Sequence, residues 1–165
     1  MRKQFICLVA LVGVLCLFLS GCIMVIPDKD SVGESKTFEK DGFSILLTDR
    51  FGEQESELGF DAYYVSDFCG VMVLKEAFSL EEGLEDRTLE QYTQNVMENN
   101  GHSDLEMQNK DGLYFYRYTR NNRCGYSFSY KGSDAFWIVQ FVCNASDEAA
   151  LKDFFLLCAA SVTVE

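Results

Sequence analysis

Seven cysteines and one histidine are the most reactive side chains of this sequence. A thiol can carry a lipid, form a disulfide, hold a metal or attack a substrate once it is ionised. None of the seven lies in the CxxC spacing of a zinc or thioredoxin-type site. We therefore expect no metal and no cofactor. The cysteines are Cys7, Cys16, Cys22, Cys69, Cys124, Cys143 and Cys158.

Cys22 follows a segment with the pattern of an export signal. Arg2 and Lys3 form a short positive start, and an apolar run extends from Phe5 to Leu19. As a helix, those fifteen residues would span about 22 Å, short of the roughly 30 Å hydrocarbon core of a bilayer. The run therefore predicts a cleaved signal peptide over residues 1–21 rather than a permanent transmembrane helix.

The four residues Leu19-Ser20-Gly21-Cys22 resemble the lipobox of bacterial lipoproteins. The resemblance implies that a diacylglyceryl group is attached to the sulfur of Cys22 and that the chain is cut between Gly21 and Cys22. The mature protein would then be anchored at the outer face of the cytoplasmic membrane, since two acyl chains hold stably. The alternative is an ordinary signal peptide followed by a chance cysteine.

His102 is the one histidine that a Ser-His-Asp triad could use. It follows Gly101 at a predicted helix end, where a polar residue is usually just solvated. No GxSxG, P-loop or HExxH motif occurs in the sequence. The acidic run from Glu81 to Asp86 matches a calcium loop only loosely, and a solvated loop is the simpler interpretation. The sequence predicts no enzyme.

A basic cluster stands out in an otherwise acidic chain. Arg120 and Arg123 are predicted to face each other across a hairpin, although like charges in that position repel. One interpretation is a solvated turn with splayed side chains. The other is a binding site for an acidic or phosphate-bearing partner. The predicted contact residues are Tyr116, Arg117, Tyr118, Arg120 and Arg123.

Composition limits the possible partners and sets the domain organisation. The formal net charge is −12, and removal of Arg2 and Lys3 with the signal peptide makes it −14. Nucleic acid and anionic headgroups would repel such a surface, so the lipid on Cys22 must hold the protein at the membrane. We predict a tether over residues 22–35 and one globular domain over residues 36–165.

The positioning elements follow from apolar periodicity and turn residues. Thr88-Leu89-Glu90-Gln91 predicts a capped helix start, and Ser146 is the predicted cap of a second helix. An Asn121-Asn122 turn places Phe115 opposite Phe128, and a Gly132-Ser133 turn places Phe128 opposite Trp137. The resulting face is too apolar to meet water, so the sequence predicts an α+β fold with a single antiparallel sheet and two main helices packed on it.

Four cysteines remain in the predicted domain, all within apolar stretches. We expect buried thiols, because a free cysteine behaves as a small apolar residue. The predicted hairpin places Cys124 and Cys143 diagonally, about 7–8 Å apart, which is too far for a bridge without a bulge. If a disulfide forms, the leading pairs are Cys124–Cys143 and Cys143–Cys158.

The order of elements resembles the PsbP/Mog1-like fold, with strand pairs, a helix, a run of antiparallel strands, a second helix and a closing strand. The segment YKGSDAFWIVQFVC from Tyr130 to Cys143, with LKE at Leu74 and LEQY at Leu89, is similar to small lipoproteins of anaerobic Gram-positive bacteria. Members of the wider fold mostly bind other proteins, and no catalytic motif transfers to this sequence.

The resemblance and the composition together predict a membrane-anchored, non-catalytic binding or assembly module whose partner is another envelope protein. Two other classes of function stay open. The first is an envelope hydrolase with a site assembled from distant residues, which a pocket holding His102 beside a nucleophile would favour. The second is a thiol redox protein using Cys124, Cys143 or Cys158, which two exposed cysteines within bonding range would favour.

Overall fold

The computed structural model of the protein describes residues 33–56 and 59–165. Across these residues the strands form two antiparallel sheets, so the predicted single sheet is wrong. The small sheet has the order β1-β2-β10, and the large sheet has the order β3-β4-β5-β9-β8-β7-β6. The predicted domain start at residue 36 falls one residue inside the first strand.

Ten strands and two α-helices follow one another along the described residues. They are β1 (Ser35–Lys40), β2 (Phe43–Thr48), β3 (Gly52–Glu53), β4 (Ala62–Val65), β5 (Cys69–Ala77), α1 (Leu89–Asn99), β6 (Met107–Lys110), β7 (Leu113–Arg120), β8 (Arg123–Lys131), β9 (Ala135–Asn144), α2 (Glu148–Ala160) and β10 (Thr163–Val164). The crossover from β5 to the far edge strand β6 contains α1, so this helix lies across the large sheet.

The main core lies between the large sheet, the small sheet and α2. We call this side of the large sheet the inner face. Strands β8 and β9 contribute Phe128 and Phe141, α2 contributes Phe155, and β2 contributes Ile45, and none of these four is measurably exposed. Two apolar layers, the small sheet and α2, thus cover the inner face. The sequence had predicted that helices would cover it.

A second apolar cluster lies on the opposite side of the large sheet, which we call the outer face. Tyr92, Val96 and Met97 of α1 pack there against Tyr116 and Phe136. The predicted capping box starts this helix: Gln91 donates its backbone N–H to Thr88 Oγ1 over 3.1 Å and accepts the backbone N–H of Thr88 over 2.9 Å. The predicted start of the first helix is therefore confirmed.

The predicted cap of the second helix is wrong. The residue immediately before α2 is Asp147, not Ser146, and the side chain of Asp147 makes no cap hydrogen bond. Its carboxylate instead accepts hydrogen bonds from Asn144 Nδ2 at 3.0 Å and Ser146 Oγ at 2.8 Å. The carboxylate therefore stabilises the turn that links β9 to α2 rather than the first helical turn.

The β7–β8 hairpin has the predicted register, with Phe115 opposite Phe128. The β8–β9 hairpin is shifted by two residues, so Trp137 lies opposite Tyr130 and Phe128 lies opposite Val139. Gly132 donates its N–H to the carbonyl of Ala135, which makes Ser133 and Asp134 the turn residues. Because the shift is even, every side chain keeps its predicted face.

Tertiary contacts set this second turn. Asp134 accepts a hydrogen bond from Lys75 Nζ at 3.0 Å, and its carbonyl accepts one from the N–H of Phe78. Ser133 donates its N–H to the carbonyl of Glu165. Lys75 lies on β5, Phe78 just after β5, and Glu165 just after β10. A turn prediction from neighbouring residues alone could not include these partners.

Candidate functional site

The outer face is covered unevenly. The cluster around α1 occupies the part of the sheet where β7 carries Tyr116 and Tyr118 and β9 carries Phe136 and Ile138. A row of directly opposed residues, Gly70, Val142 and Gly125, crosses β5, β9 and β8 beyond that cluster. Side chains from the neighbouring strands, rather than a helix, lie over this row.

Two tyrosine rings lie over the two glycines. A Cβ atom added to Gly125 would overlap the ring of Tyr118, so the ring lies directly on the strand backbone. A Cβ atom added to Gly70 would be 3.6 Å from Tyr63 Cε2, an ordinary contact distance. The absence of a side chain at Gly125 therefore positions Tyr118 flat against the sheet.

His102 packs on the other side of Tyr118. The two rings are 4.9 Å apart at an interplanar angle of 23°, and Tyr116 meets His102 at 5.4 Å and 61°. Burial is the main cause that lowers the pKa of His102, Asp104 opposes that shift, and the charge of Arg120 adds to it. The imidazole therefore packs on the two tyrosines and supports Tyr118.

Arg120 and Arg123 flank the adjacent turn. They lie opposite each other at the end of the β7–β8 hairpin, on the outer face. Asn121 and Asn122 have φ angles of 49° and 60°, as a type I′ turn requires. Arg120 is exposed and Arg123 is half-buried. We call Tyr118, His102, Arg120 and Arg123 together the arginine corner.

The other two predicted contact residues lie elsewhere. Arg117 is on the inner face, where its Nε and Nη2 atoms bind Glu148 Oε1 and Oε2 at 2.6 and 2.5 Å. Tyr126 Oη donates to the same carboxylate at 2.7 Å. The Arg117 hydrogen bonds are the main cause that lowers the pKa of Glu148 to about 2. Tyr116 is fully buried in the cluster around α1.

The alternation of side chains along β7 explains this division. Residues Tyr116, Tyr118 and Arg120 share one face, and Arg117 points to the other. Of the five predicted contact residues, the structure therefore brings Tyr118, Arg120 and Arg123 together at one surface. His102 joins them from the loop after α1, although its position after Gly101 had predicted a solvated residue at a helix end.

All four cysteines of the described domain are buried thiols. Cys143 lies directly opposite Cys69 in the β5–β9 ladder and, because of the two-residue shift in the β8–β9 register, directly opposite Cys124 as well. Burial is the main cause that raises the pKa of Cys143 to about 12 and that of Cys124 to about 11. The exposed pair that would favour a thiol enzyme is not seen among these four.

The acidic loop after β5 has structural partners. Arg87 binds the carboxylate of Glu81, and Lys131 Nζ donates to the carbonyl oxygens of Glu85 and Arg87 at 2.7 and 2.9 Å. Within residues 33–56 and 59–165, no three His, Cys, Asp or Glu side chains are grouped to hold a metal ion. In the same ranges no helix has the length and apolarity needed to cross a membrane.

Cys22, the predicted cleavage site and the predicted tether up to residue 32 lie outside the described residues. The lipobox therefore stays a prediction from the sequence. The disulfide pairs proposed from the sequence also stay predictions, but the predicted diagonal placement of Cys124 and Cys143 is wrong, since the two residues lie directly opposite each other.

The two-sheet arrangement with α1 on one side and α2 on the other is the PsbP/Mog1-like fold. The chain is similar to the solution structure of cyanobacterial PsbP (CyanoP) from Synechocystis sp. PCC 6803, with a TM-score of 0.55 and 12% identity over 89% of this chain and 99% of that one. It is also similar to the Ran-binding protein Mog1p of Saccharomyces cerevisiae, with a TM-score of 0.50 and 10% identity over 80% of this chain and 96% of that one.

A mutant of protein Mog1 matches at a TM-score of 0.51 and 10% identity, over 79% of this chain and 96% of that one. No protein-family model matches the sequence, and neither does any curated protein. At these identities the structural matches establish the fold, and the function has to be argued from the chain's own residues.

Proposed function

We propose that this chain is a lipid-anchored binding module at the outer face of the cytoplasmic membrane. In this proposal the chain is cut between Gly21 and Cys22, and acyl chains on Cys22 hold the mature protein in the membrane. The folded domain acts without catalysis and contacts another envelope protein. The LSGC sequence at residues 19–22 supports the anchor, and the arginine corner supports the contact.

The observation that carries the contact is the position of Arg120 and Arg123. The two arginines lie directly opposite each other at one hairpin end, Arg120 exposed and Arg123 half-buried, in a chain with a formal charge of −12. Like charges directly opposite each other destabilise a strand pair, and a bound carboxylate would relieve that repulsion. Arginine binds carboxylates through paired hydrogen bonds, which favours an acidic protein segment as the partner.

The surroundings of the two arginines favour recognition over catalysis. Tyr118 is buried, with its ring against the backbone of Gly125 and the ring of His102, so the strand end that carries the arginines has a rigid support. Arginine is enriched at the centres of protein interfaces, and a preorganised support lowers the ordering cost of binding. Loops after strands can vary without disturbing the inner-face core, which suits a recognition site.

The contact is tested by reversing the charge of the corner. The full-length Arg120→Glu, Arg123→Glu variant should fold as the unmodified chain does, because it changes a hairpin end rather than the core. At least one protein that copurifies with the unmodified chain from detergent-extracted envelope membranes should be recovered in at least tenfold lower amount with this variant. Raised salt should release the same proteins, because dissolved ions screen exposed charge pairs. The screening length is about 10 Å in 0.1 M salt and shortens as salt is added.

A Lys110→Glu, Lys152→Glu variant is the matched control. It makes the same change in net charge at two exposed lysines outside the arginine corner. An identical set of copurifying proteins from all three chains would overturn the proposed contact. The anchor is tested separately: Cys22→Ser should leave an unprocessed or released protein, and a variant that is still cut and still partitions into detergent would overturn the lipoprotein assignment.

A further inference from the structure

Three of the four cysteines in the described domain form one row on the inner face. Cys69 on β5, Cys143 on β9 and Cys124 on β8 lie directly opposite one another across adjacent strands. Cys158 of α2 belongs to the same core cluster. The middle thiol, Cys143, therefore has a potential partner on each side, and the hydrogen-bond pattern of the two ladders distinguishes them.

Opposed residues in an antiparallel ladder alternate between two kinds of pair. Hydrogen-bonded pairs have Cα atoms about 5.5 Å apart, and non-hydrogen-bonded pairs have Cα atoms about 4.5 Å apart with closer side chains. A disulfide usually needs Cβ atoms about 3.5–4.5 Å apart. The non-hydrogen-bonded pair is therefore the one that can be bridged without a backbone shift.

The Cys69–Cys143 pair is of the bridgeable kind. Phe78 donates its N–H to the carbonyl of Asp134, so these two residues form a hydrogen-bonded pair at the end of the β5–β9 ladder. The ladder runs without a bulge from there to Cys69 and Cys143, an odd number of steps away. On the opposite edge of β5, the carbonyl of Cys69 accepts the N–H of Ser66, as expected for a residue whose polar groups point away from β9.

The Cys124–Cys143 pair is of the other kind. Gly132 donates its N–H to the carbonyl of Ala135, which makes a hydrogen-bonded pair beside the β8–β9 turn. Cys124 and Cys143 lie an even number of steps from that pair in an unbroken ladder. Their side chains are therefore held farther apart, although the two residues are directly opposite.

We propose that Cys69 and Cys143 are an oxidation site that forms a cross-strand disulfide between β5 and β9. The oxidant is a disulfide-bearing molecule, either a small disulfide or an oxidised protein dithiol. A thiolate of the pair attacks the donor disulfide, and the second cysteine then displaces the donor from the mixed disulfide. The net change is two S–H bonds lost and one S–S bond formed here, while the donor disulfide becomes two thiols.

The position of the row explains how a buried pair could react. Neither Cys69 nor Cys143 is measurably exposed, and burial holds the pKa of both thiols high. Cys69 is, however, the first residue of β5, and Cys143 is next to the last residue of β9, so the pair lies at strand ends, where fraying or incomplete folding exposes residues first. The disulfide is therefore expected to form during folding. The proposed location at the outer face of the membrane matters only because the chain would meet the oxidant there.

The inference is tested on the full chain in detergent, unfolded and refolded with oxidised and reduced glutathione. Peptide mapping by mass spectrometry should find Cys69 joined to Cys143, with Cys124 and Cys158 alkylated as free thiols. The thermal midpoint of the oxidised protein should exceed that of the reduced protein by roughly 10 °C, because the bridge closes a loop of about 75 residues.

Cys124→Ser is the matched control, since it changes the other neighbour of Cys143 in the same row. It should keep both the bridge and the shift in midpoint, whereas Cys69→Ser should lose both. A mapped Cys124–Cys143, Cys143–Cys158 or Cys69–Cys158 bridge, or four free thiols after oxidative refolding, would overturn the assignment. Mapping of the unmodified chain decides the question even if Cys69→Ser fails to fold.

Discussion

The two faces of the large sheet are both buried, but different kinds of contact bury them. On the inner face, aromatic rings pack within the sheet, as in Phe115 with Phe128 at 4.9 Å, and between layers, as in Phe141 with Phe155 of α2 at 5.0 Å. On the outer face, α1 packs over one part and polar or glycine positions occupy much of the rest. Gln140 Nε2, for example, donates to Ser127 Oγ at 3.4 Å.

This difference separates stability from recognition. Burial of large apolar side chains is the dominant favourable contribution to folding, and the inner face concentrates such side chains. The outer face has fewer of them and ends in two arginines and two asparagines at an exposed turn. Changes there can alter contacts with a partner at little cost to the fold. The inner face should therefore tolerate substitution less than the outer face does.

The largest expected effect is at Trp137 on the inner face. Its indole is 1% exposed and stacks on Phe43 of the small sheet at 5.7 Å. Trp137→Ala should lower the free energy of unfolding by about 3–5 kcal/mol, through lost burial and the cavity left behind. Urea unfolding measures this, with Leu157→Ala at an exposed helix position as the control. A variant melting within a degree or two of the unmodified chain would contradict the comparison.

A smaller effect is expected at Tyr92, where α1 meets the outer face. Its ring stacks on Phe136 at 4.0 Å, and its hydroxyl donates to Glu76 Oε2 at 2.7 Å. Tyr92→Phe leaves that buried carboxylate without this donor, at a cost of about 1.5–3 kcal/mol. Adding Glu76→Met should recover part of the loss in urea unfolding. Equal stability of Tyr92→Phe and the unmodified chain would show that the hydrogen bond contributes nothing.

The two outer-face glycines form a matched pair. Gly125→Ala should destabilise the protein by about 1–3 kcal/mol, because the new methyl group must push away the ring of Tyr118. Gly70→Ala meets only an ordinary contact with Tyr63 and should be neutral, or stabilising by up to about 1 kcal/mol. Thermal melts of both variants check the difference. If they melt alike, Tyr118 does not depend on the bare backbone of Gly125.

The smallest effect concerns pH and His102. Its pKa in the folded protein lies below the ordinary value of 6.5, chiefly because of burial. As the pH falls below 6.5, the unfolded chain therefore takes up this proton more readily than the folded one, and stability is lost. His102→Gln should reduce the loss in urea midpoint between pH 7 and pH 5. An unchanged pH dependence would show that this histidine titrates alike in both states.

Local patterns determined much of this protein. The period of apolar residues placed Phe115, Phe128, Trp137 and Phe141 on one face, and the structure confirms that face. The capping box of α1 and the type I′ turn at Asn121 and Asn122 were also predicted, because each depends on residues close in sequence. The fold resemblance correctly named the PsbP/Mog1-like arrangement, although not its second sheet.

Pairings between distant strands were decided by the tertiary structure alone. The small sheet gains its third strand because β10 returns to pair with β2, a contact that no local pattern encodes. Contacts of Ser133 and Asp134 with distant residues shifted the β8–β9 register and thereby aligned Cys143 with Cys124. The pairing of β5 with β9 brought Cys69 into the same row.

The arginine corner shows the same division between sequence and structure. The sequence determined that Arg117, Arg120 and Arg123 surround one hairpin end, because turn type and strand period are local properties. Only the structure assigned Arg117 to Glu148 and placed Arg120 and Arg123 on the same face as Tyr118. The physical reason is that hydrogen bonds and side-chain packing depend on which surfaces meet, and chain topology sets those meetings once the local elements have formed.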